Sequence, residues 1–256
     1  MIYKLITYYH VLITMISFRA FFSKVVNKYR HEGFRGFVLA GSRLAYNFIR
    51  PYLPPGEYPT CSGVKIGSQD LRSKPLDQFL GINTWLDTHK QVNVKLIQEY
   101  VATGDTVRVV GGGYGITAVI AAQMVREQGK VYIYEGAANQ IRTIQRTIYL
   151  NNIDNIMDIK HAIVGDAVEL KSGADGAERI PPEELPSCDV LEMDCEGSEI
   201  SILNNMDICP GTIIVETHPN KGAPTSDVKT ILREEGYTII DSEPDRKSGS
   251  VLVAQQ

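Results

Sequence analysis

From Val107 onward, short apolar runs alternate with longer segments whose apolar residues recur at helical spacing. Runs at 107–110, 131–134, 157–163, 189–193, 212–216, 237–241 and 250–254 predict strands, and the segments 116–127, 137–150, 198–205 and 225–235 predict helices between most of them. Strands interleaved with helices imply a mostly parallel sheet, an α/β architecture. The last two strands are joined only by Ser242 to Gly249, and a parallel crossover takes a dozen or more residues, so the final strand is expected to pair antiparallel or leave the sheet.

Upstream the pattern is less regular. Asp87 to Thr103 reads as an amphipathic helix burying Val92, Leu96, Ile97 and Tyr100, while Tyr58 to Leu86 reads as a strand or two with turns. Pro51-Tyr-Leu-Pro-Pro-Gly56 stops whatever helix precedes it. Leu5 to Phe18 carries no formal charge apart from a proton on His10, yet at about 14 residues it falls short of the roughly 20 that cross a bilayer. Aromatic residues beside Lys24, Lys28 and Arg30 suit an interfacial helix, and no small-residue cleavage site follows Phe22. A helix packed on the domain or on a partner subunit, a membrane-surface helix, and a span or signal all stay open. The expected organisation is a basic helical N-terminal extension over 1–55, a strand and helix lead-in over 56–103, and a domain over 104–256.

Composition is that of a globular chain, with 43% hydrophobic against 22% charged residues in 256. Residues 1–50 hold eight of the 26 Lys and Arg and a single acid, Glu32; the remainder holds 18 basic and 29 acidic residues. An acidic body argues against general nucleic-acid binding, which draws its affinity from neutralised phosphates. Cys61, Cys188, Cys195 and Cys209 show neither zinc nor C-x-x-C spacing, and a small buried residue is the plainer reading of Cys195. The expectation is a cytoplasmic protein, with residues 1–50 available for peripheral membrane contact or for a homo-oligomer.

Candidate chemistry concentrates where the first strand of this series ends. Thr106-Val-Arg-Val-Val enters Gly111-Gly-Gly-Tyr-Gly115 and then a helix. Glycines there permit positive φ and close approach of a ligand, and the helix offers free N–H groups. The strand Val131-Tyr-Ile-Tyr134 ends in Glu135, placed to accept both hydroxyls of a ribose. The reading is a nucleoside-containing cofactor held by Gly111, Gly112, Gly113, Tyr114, Gly115 and Glu135. Two cofactor classes fit: Gly113-Tyr-Gly115-Ile-Thr-Ala118 satisfies the dinucleotide fingerprint of NAD(P) enzymes, and Gly111 to Gly115 satisfies the G-x-G-x-G loop of S-adenosylmethionine enzymes. Asp166 is placed to accept from an adenine amino group, and Ala162 or Ile163 could line that pocket through backbone.

Downstream, Asp194-Cys-Glu196-Gly-Ser-Glu199 puts three carboxylates at a strand mouth and on the next helical turn, an arrangement with no evident use in hydride transfer. Here the chain resembles the FkbM family of S-adenosylmethionine-dependent methyltransferases. The resemblance rests on Gly104-Asp105, the glycine loop, Glu135, Asn151-Asn152 and the Asp194 to Glu199 box, and covers about Gly104 to the C-terminus. It implies a Rossmann-like sheet of seven strands with a reversed C-terminal hairpin, S-adenosyl-L-methionine as cofactor, and O-methylation of a sugar, glycan or glycolipid hydroxyl. The family usually carries an acid just before the glycines, where this chain has Val109 and Val110. An oxygen acceptor also agrees with the lack of an Asn-Pro-Pro-Tyr type motif after the fourth strand. The alternatives are an NAD(P)-binding oxidoreductase, or a non-catalytic nucleoside-binding module attached to membrane or partner.

Methyl transfer is an in-line displacement, so positioning the acceptor hydroxyl is the main task. Asp194 is the candidate base or hydroxyl orienter, against the plainer role of helix N-cap; Glu196 and His218 are the other catalytic candidates. Glu199 is the residue expected to serve the helix dipole. Glu216 and His218 alternate along a strand end and face one side, so with Asp194 they could bind a divalent ion, although no tight spacing supports a metal.

Overall fold

The computed structural model describes residues 33–68, 71, 74–82, 84–165, 176–245 and 249–256. The chain divides into two compact units. One runs to Pro54 and takes in Pro75–Thr84; the other comprises Pro55–Lys74 and Trp85–Gln256.

The larger unit holds an eight-stranded sheet. Its strands are β3 (Thr106–Val110), β4 (Lys130–Glu135), β5 (Met157–Val164), β6 (Glu178–Ile180), β7 (Val190–Met193), β8 (Thr212–Glu216), β9 (Thr238–Pro244) and β10 (Ser250–Gln255), in the order β6-β5-β4-β3-β7-β8-β10-β9. Pairing is parallel from β6 to β8, and β10 lies antiparallel between β8 and β9. The fold is therefore the expected Rossmann-like α/β sheet with a reversed C-terminal strand. The eighth strand, β6, is three residues at the sheet edge, too short to leave a readable alternation. From β3 the chain winds outward through β4 to β6 and then returns to β7 on the other side, which makes the crevice beyond β3 and β7 the switch point of the sheet.

The central strands are β-branched and buried on both faces, as a covered parallel sheet requires. One face packs Val107, Val109, Ile133 and Ile214 under α3 (Gln91–Tyr100), α4 (Ile116–Val125) and α5 (Ala138–Asn151). The other packs Val110, Leu191, Met193 and Val215 against α6 (Glu199–Asn205) and α7 (Thr225–Glu234). Apolar residues occupy nearly every turn of α4, and eight of its ten are buried, the mark of a helix with no solvent face. A separate antiparallel hairpin, β1 (Glu57–Pro59) with β2 (Lys65–Gly67), accounts for the strands expected after Tyr58. It is fastened to α5 by Asn151, whose side chain accepts from Lys65 N–H at 3.1 Å and donates to Lys65 C=O at 2.9 Å, as a neighbouring strand would.

The helix expected over Asp87–Thr103 is shorter and broken. Thr84–Thr88 is a 3-10 turn, Lys90 takes a left-handed conformation (φ 60°, ψ 22°), and α3 begins only at Gln91. Its buried residues are Asn93, Val94, Leu96 and Ile97, whereas Val92 and Tyr100 are half-buried. A polar residue on the buried face escaped the apolar pattern because its partner is a side chain of the site.

In the smaller unit residues 33–49 are helical (α1) and α2 spans Lys74–Phe79. Arg43 Nε donates to Leu80 C=O at 2.5 Å and Arg50 pairs with the buried Asp77 at 3.6 Å. Phe34 and Phe48 of α1 are 73% and 76% exposed. Among the described residues no helix is long and apolar enough to cross a membrane; Leu5 to Phe18 lies outside them.

Candidate active site

The glycine loop follows β3 at the switch point and is pressed against the Asp194 backbone. Gly111 has φ +95°, and a Cβ there would lie 2.1 Å from the Asp194 carbonyl oxygen, so only glycine lets the loop and the acidic box meet. Gly112 is filled over by Ile133 and Ile144, and Gly115 takes φ +79° to start α4; both serve the turn and its packing. Gly113 (φ +51°) faces open space. Its N–H donates to Glu135 Oε2 at 3.0 Å, and Ala137 N–H donates to Oε1 at 2.8 Å. Burial raises the Glu135 carboxyl, and those two N–H groups pull it back.

Two clefts open here. The first, about 110 Å³, is lined by Gly111, Gly113, Glu135, Ala162, Ile163 and Asp194 among others. The second, about 210 Å³, is lined by Trp85, His89, Lys90, Tyr114, Asp194 and Glu196, together with the loop glycines and Gln140. Gly111, Gly113, Gln140, Asp194 and Glu196 line both, so the clefts meet along the loop and the acids. At the mouth of the second, the rings of Trp85 and His89 stand edge to face at 4.9 Å, and Tyr114 lies 5.9 Å from each. Tyr114 thus belongs to the second cleft, not the first, and Asp166 lies outside the described residues.

Beneath these clefts the ends of β7 and β8 carry a dense ionic cluster. Lys90 Nζ bridges Asp194, at 2.5 Å, and Glu216. Asn93 donates to Glu216 from the next turn of the same segment, at 3.2 Å. His218 joins the opposite side, with Nδ1 2.7 Å from Glu199 and Nε2 3.3 Å from Asp194. Glu199, on the first turn of α6, also accepts from Gly197 N–H at 2.9 Å, so it closes the helix start and orients the imidazole together. Glu196 (φ 55°) pairs with Lys221 at 2.6 Å. Lys90 and Glu196 are left-handed without being glycine, a backbone cost of order 1 kcal/mol each that their ion pairs hold in place.

The charges are strongly interlocked. Burial alone would raise Asp194, but Lys90 and then His218 hold it well below the carboxylate range. Burial would lower His218, yet the neighbouring Asp194 and Glu199 carboxylates push it up to about 10, so the imidazole is protonated at neutral pH. Burial would likewise lower Lys90, and Asp194 and Glu216 hold it well above an ordinary lysine. Glu216 is raised by burial and by Asp194. Two residues before Asp194, and so on the same face of β7, Glu192 is 1% exposed with neither carboxyl oxygen hydrogen-bonded. Burial, and next the Asp194 charge, push its carboxyl up to about 8. Ligand atoms of Asp194, Glu216 and His218 lie within 4.8 Å of one another, a span that suits a divalent ion. In this structure two side-chain cations, the Lys90 ammonium and the His218 imidazolium, already lie against those carboxylates. Burial pushes the Cys195 thiol well above its ordinary range, which leaves it unreactive.

The structure thus brings together Asp194, Glu196 and His218 beside Gly111, Gly113 and Glu135. Lys90, Asn93 and Glu192 were missed from sequence. The available signals were an acid inside the apolar run Val190-Leu-Glu-Met193 and a polar residue at a core position of a helix.

Among solved structures the chain is similar to a SAM-dependent methyltransferase from Aquifex aeolicus (18% identity, covering 66% of this chain and 94% of that one, TM-score 0.44). It is similar also to a ribosomal protein L11 methylase from Lactobacillus delbrueckii subsp. bulgaricus (12%, 66% and 79%, TM-score 0.47). A third likeness is to Aeropyrum pernix fibrillarin with natively bound S-adenosyl-L-methionine (14%, 64% and 74%, TM-score 0.43). No protein-family model matches the chain, and no curated protein matches it. The class rests on the sheet order and its switch-point crevice: a Rossmann-like α/β fold with two adjoining clefts at the switch point, the second lined by acids.

Proposed function

We propose that the chain is an S-adenosyl-L-methionine-dependent methyltransferase acting on a hydroxyl of a sugar, glycan or glycolipid. The observation that carries this reading is the junction of the two clefts at Asp194 and Gly113. A nucleoside pocket anchored by Glu135 meets there a second cleft, with the Asp194 carboxylate lining both. The residues suit the cofactor: Gly113 leaves room where a Cβ would project, and the Glu135 carboxylate is fixed by two backbone N–H groups. The resemblance to the FkbM family supports the oxygen acceptor and the sugar class.

When bound, the cofactor supplies an electrophilic methyl on a sulfonium. The chain's own residues orient the acceptor. Asp194 accepts the hydroxyl hydrogen bond, while Lys90 and His218 keep it ionised. A carboxylate held so low is a weak base toward an alcohol. An oxygen that has gained a methyl while keeping its proton is far more acidic than any carboxylic acid, so Asp194 can take the proton as the C–O bond forms. Glu196 lines the acceptor cleft beside it, and Glu199 acts through His218.

Calorimetric titration with S-adenosylhomocysteine tests the reading, with NAD in parallel and Gly113→Val as the filled-cleft variant. Micromolar binding of the first, lost in the variant, is expected. Binding of NAD alone would replace methyl transfer with hydride transfer, and binding of neither would leave a non-catalytic module.

A further inference from the structure

A third cleft, about 300 Å³, is lined by Gly67, Ser68, Tyr114, Gln140, Arg142 and Arg146, together with Asn139 and Thr143. Tyr114 and Gln140 also line the acceptor cleft, so the two hollows adjoin at the Tyr114 ring. Arg142 and Arg146 stand four residues apart on α5, on one side of the helix, and both are exposed. Neither has a hydrogen bond or ion pair with a described residue. That is notable where acids outnumber bases by 29 to 18 outside residues 1–50, since an arginine with carboxylates to choose from ordinarily pairs.

Arg146 is also seated by the fold. A Cβ on Gly67 would lie 2.4 Å from Arg146 Cγ, so the hairpin strand β2 closes on the arginine stem only because that residue is glycine. Gly67 N–H donates to Thr147 Oγ1 at 3.2 Å and keeps the strand there. The result is two guanidinium-bearing side chains, one of them wedged, on the edge of a polar hollow that adjoins the acceptor cleft.

Resting on the methyltransferase reading above, we propose that this cleft is an anion subsite for the acceptor. Arg142 and Arg146 hold a phosphate ester of the acceptor while its reacting hydroxyl lies at Asp194 on the other side of Tyr114. Guanidinium groups match phosphate oxygens in fork geometry and stay charged at every working pH. The acceptor cleft offers that group less: its lining lysine, Lys90, is already held by Asp194 and Glu216, and Asp194 and Glu196 line the same cleft. The two clefts therefore sort an acceptor with two different ends. Hydroxyls go to the carboxylates and the aromatic mouth, and the anion goes to the arginines. A sugar phosphate has that chemistry in a small molecule.

The test is a ³¹P NMR titration of glucose 1-phosphate and of inorganic phosphate into the full chain, with and without S-adenosylhomocysteine. Arg142→Gln/Arg146→Gln serves as the variant and unphosphorylated glucose as competitor. Saturable broadening of the phosphate lines is expected with the wild-type chain, and at least tenfold weaker binding with the variant. The variant should keep its S-adenosylhomocysteine affinity, because neither arginine lines the first cleft. No saturable binding to the wild-type chain, or equal binding to the variant, overturns the subsite. Displacement of phosphate by a short RNA oligonucleotide at concentrations where glucose 1-phosphate has no effect overturns the small acceptor. Failure of S-adenosylhomocysteine to bind, with phosphate still bound through the arginines, removes the methyltransferase reading and leaves the anion site.

Discussion

At Asp194 two basic side chains converge on one carboxylate, and most of the chemistry proposed for the chain depends on that charge. Asp194→Asn keeps the shape and removes the acceptor charge. Turnover in a methyl-transfer assay should fall by about 100-fold, with S-adenosylhomocysteine affinity within a few-fold of wild type. Unchanged turnover would move the role elsewhere. Glu192 makes a different demand. Its carboxyl titrates near 4.5 when solvated and at about 8 in the fold, so between those values the folded state holds the extra proton. Stability contributed through this residue therefore falls as pH rises from 4.5 to 8 and levels off above. Glu192→Gln removes that dependence. In urea titrations the variant should match wild type near pH 4.5 and exceed it at pH 8.5, by on the order of 5 kcal/mol. A pH-independent difference would mean Glu192 is ionised in the fold.

Among the elements, the hairpin β1–β2 and helix α5 form one mechanical piece, joined through Asn151. Asn151→Ala should cost about 1–2 kcal/mol and speed hydrogen exchange at the Lys65 and Gly67 amides ahead of those in β3; uniform protection would show the hairpin held by its apolar residues alone. Much at this scale was legible in the sequence. Val107 to Val110 and Val131 to Tyr134 announce buried parallel strands, and the short linker Ser242 to Gly249 announces the reversal of β10. The α3 start was not legible, because the break at Lys90 is imposed by carboxylates from β7 and β8, 104 and 126 positions further along the chain. The acid cluster was half legible. Asp194, Glu196 and Glu199 stand together in sequence, but the cations that make their proximity tolerable come from distant segments. Nothing in the order of residues tells which lysine will arrive.

For the whole molecule, charge is segregated three ways: a basic N-terminal segment, an acidic body, and an arginine pair beside the cleft that Asp194 and Glu196 line. In and just after α1 two basic residues are spent within their own unit, Arg43 on Leu80 and Arg50 on Asp77, while Phe34, Phe37 and Phe48 of α1 remain exposed. Peripheral contact would draw on these aromatic rings as well as on charge. The full chain should co-sediment with phosphatidylserine vesicles and a chain lacking residues 1–50 should not; equal partition would remove the membrane role. The reversed strand has a consequence of another kind. Residues 250–255 are the wedge between β8 and β9, so during synthesis β8 emerges with its inner edge bare and keeps it so until some forty residues more have left the ribosome. Thr212-Ile-Ile-Val-Glu216 is an apolar, β-branched template throughout that interval. Stalling or clipping just before Ser250 would yield a nascent chain prone to join its neighbours, and the demand for a chaperone should peak there and vanish six residues later.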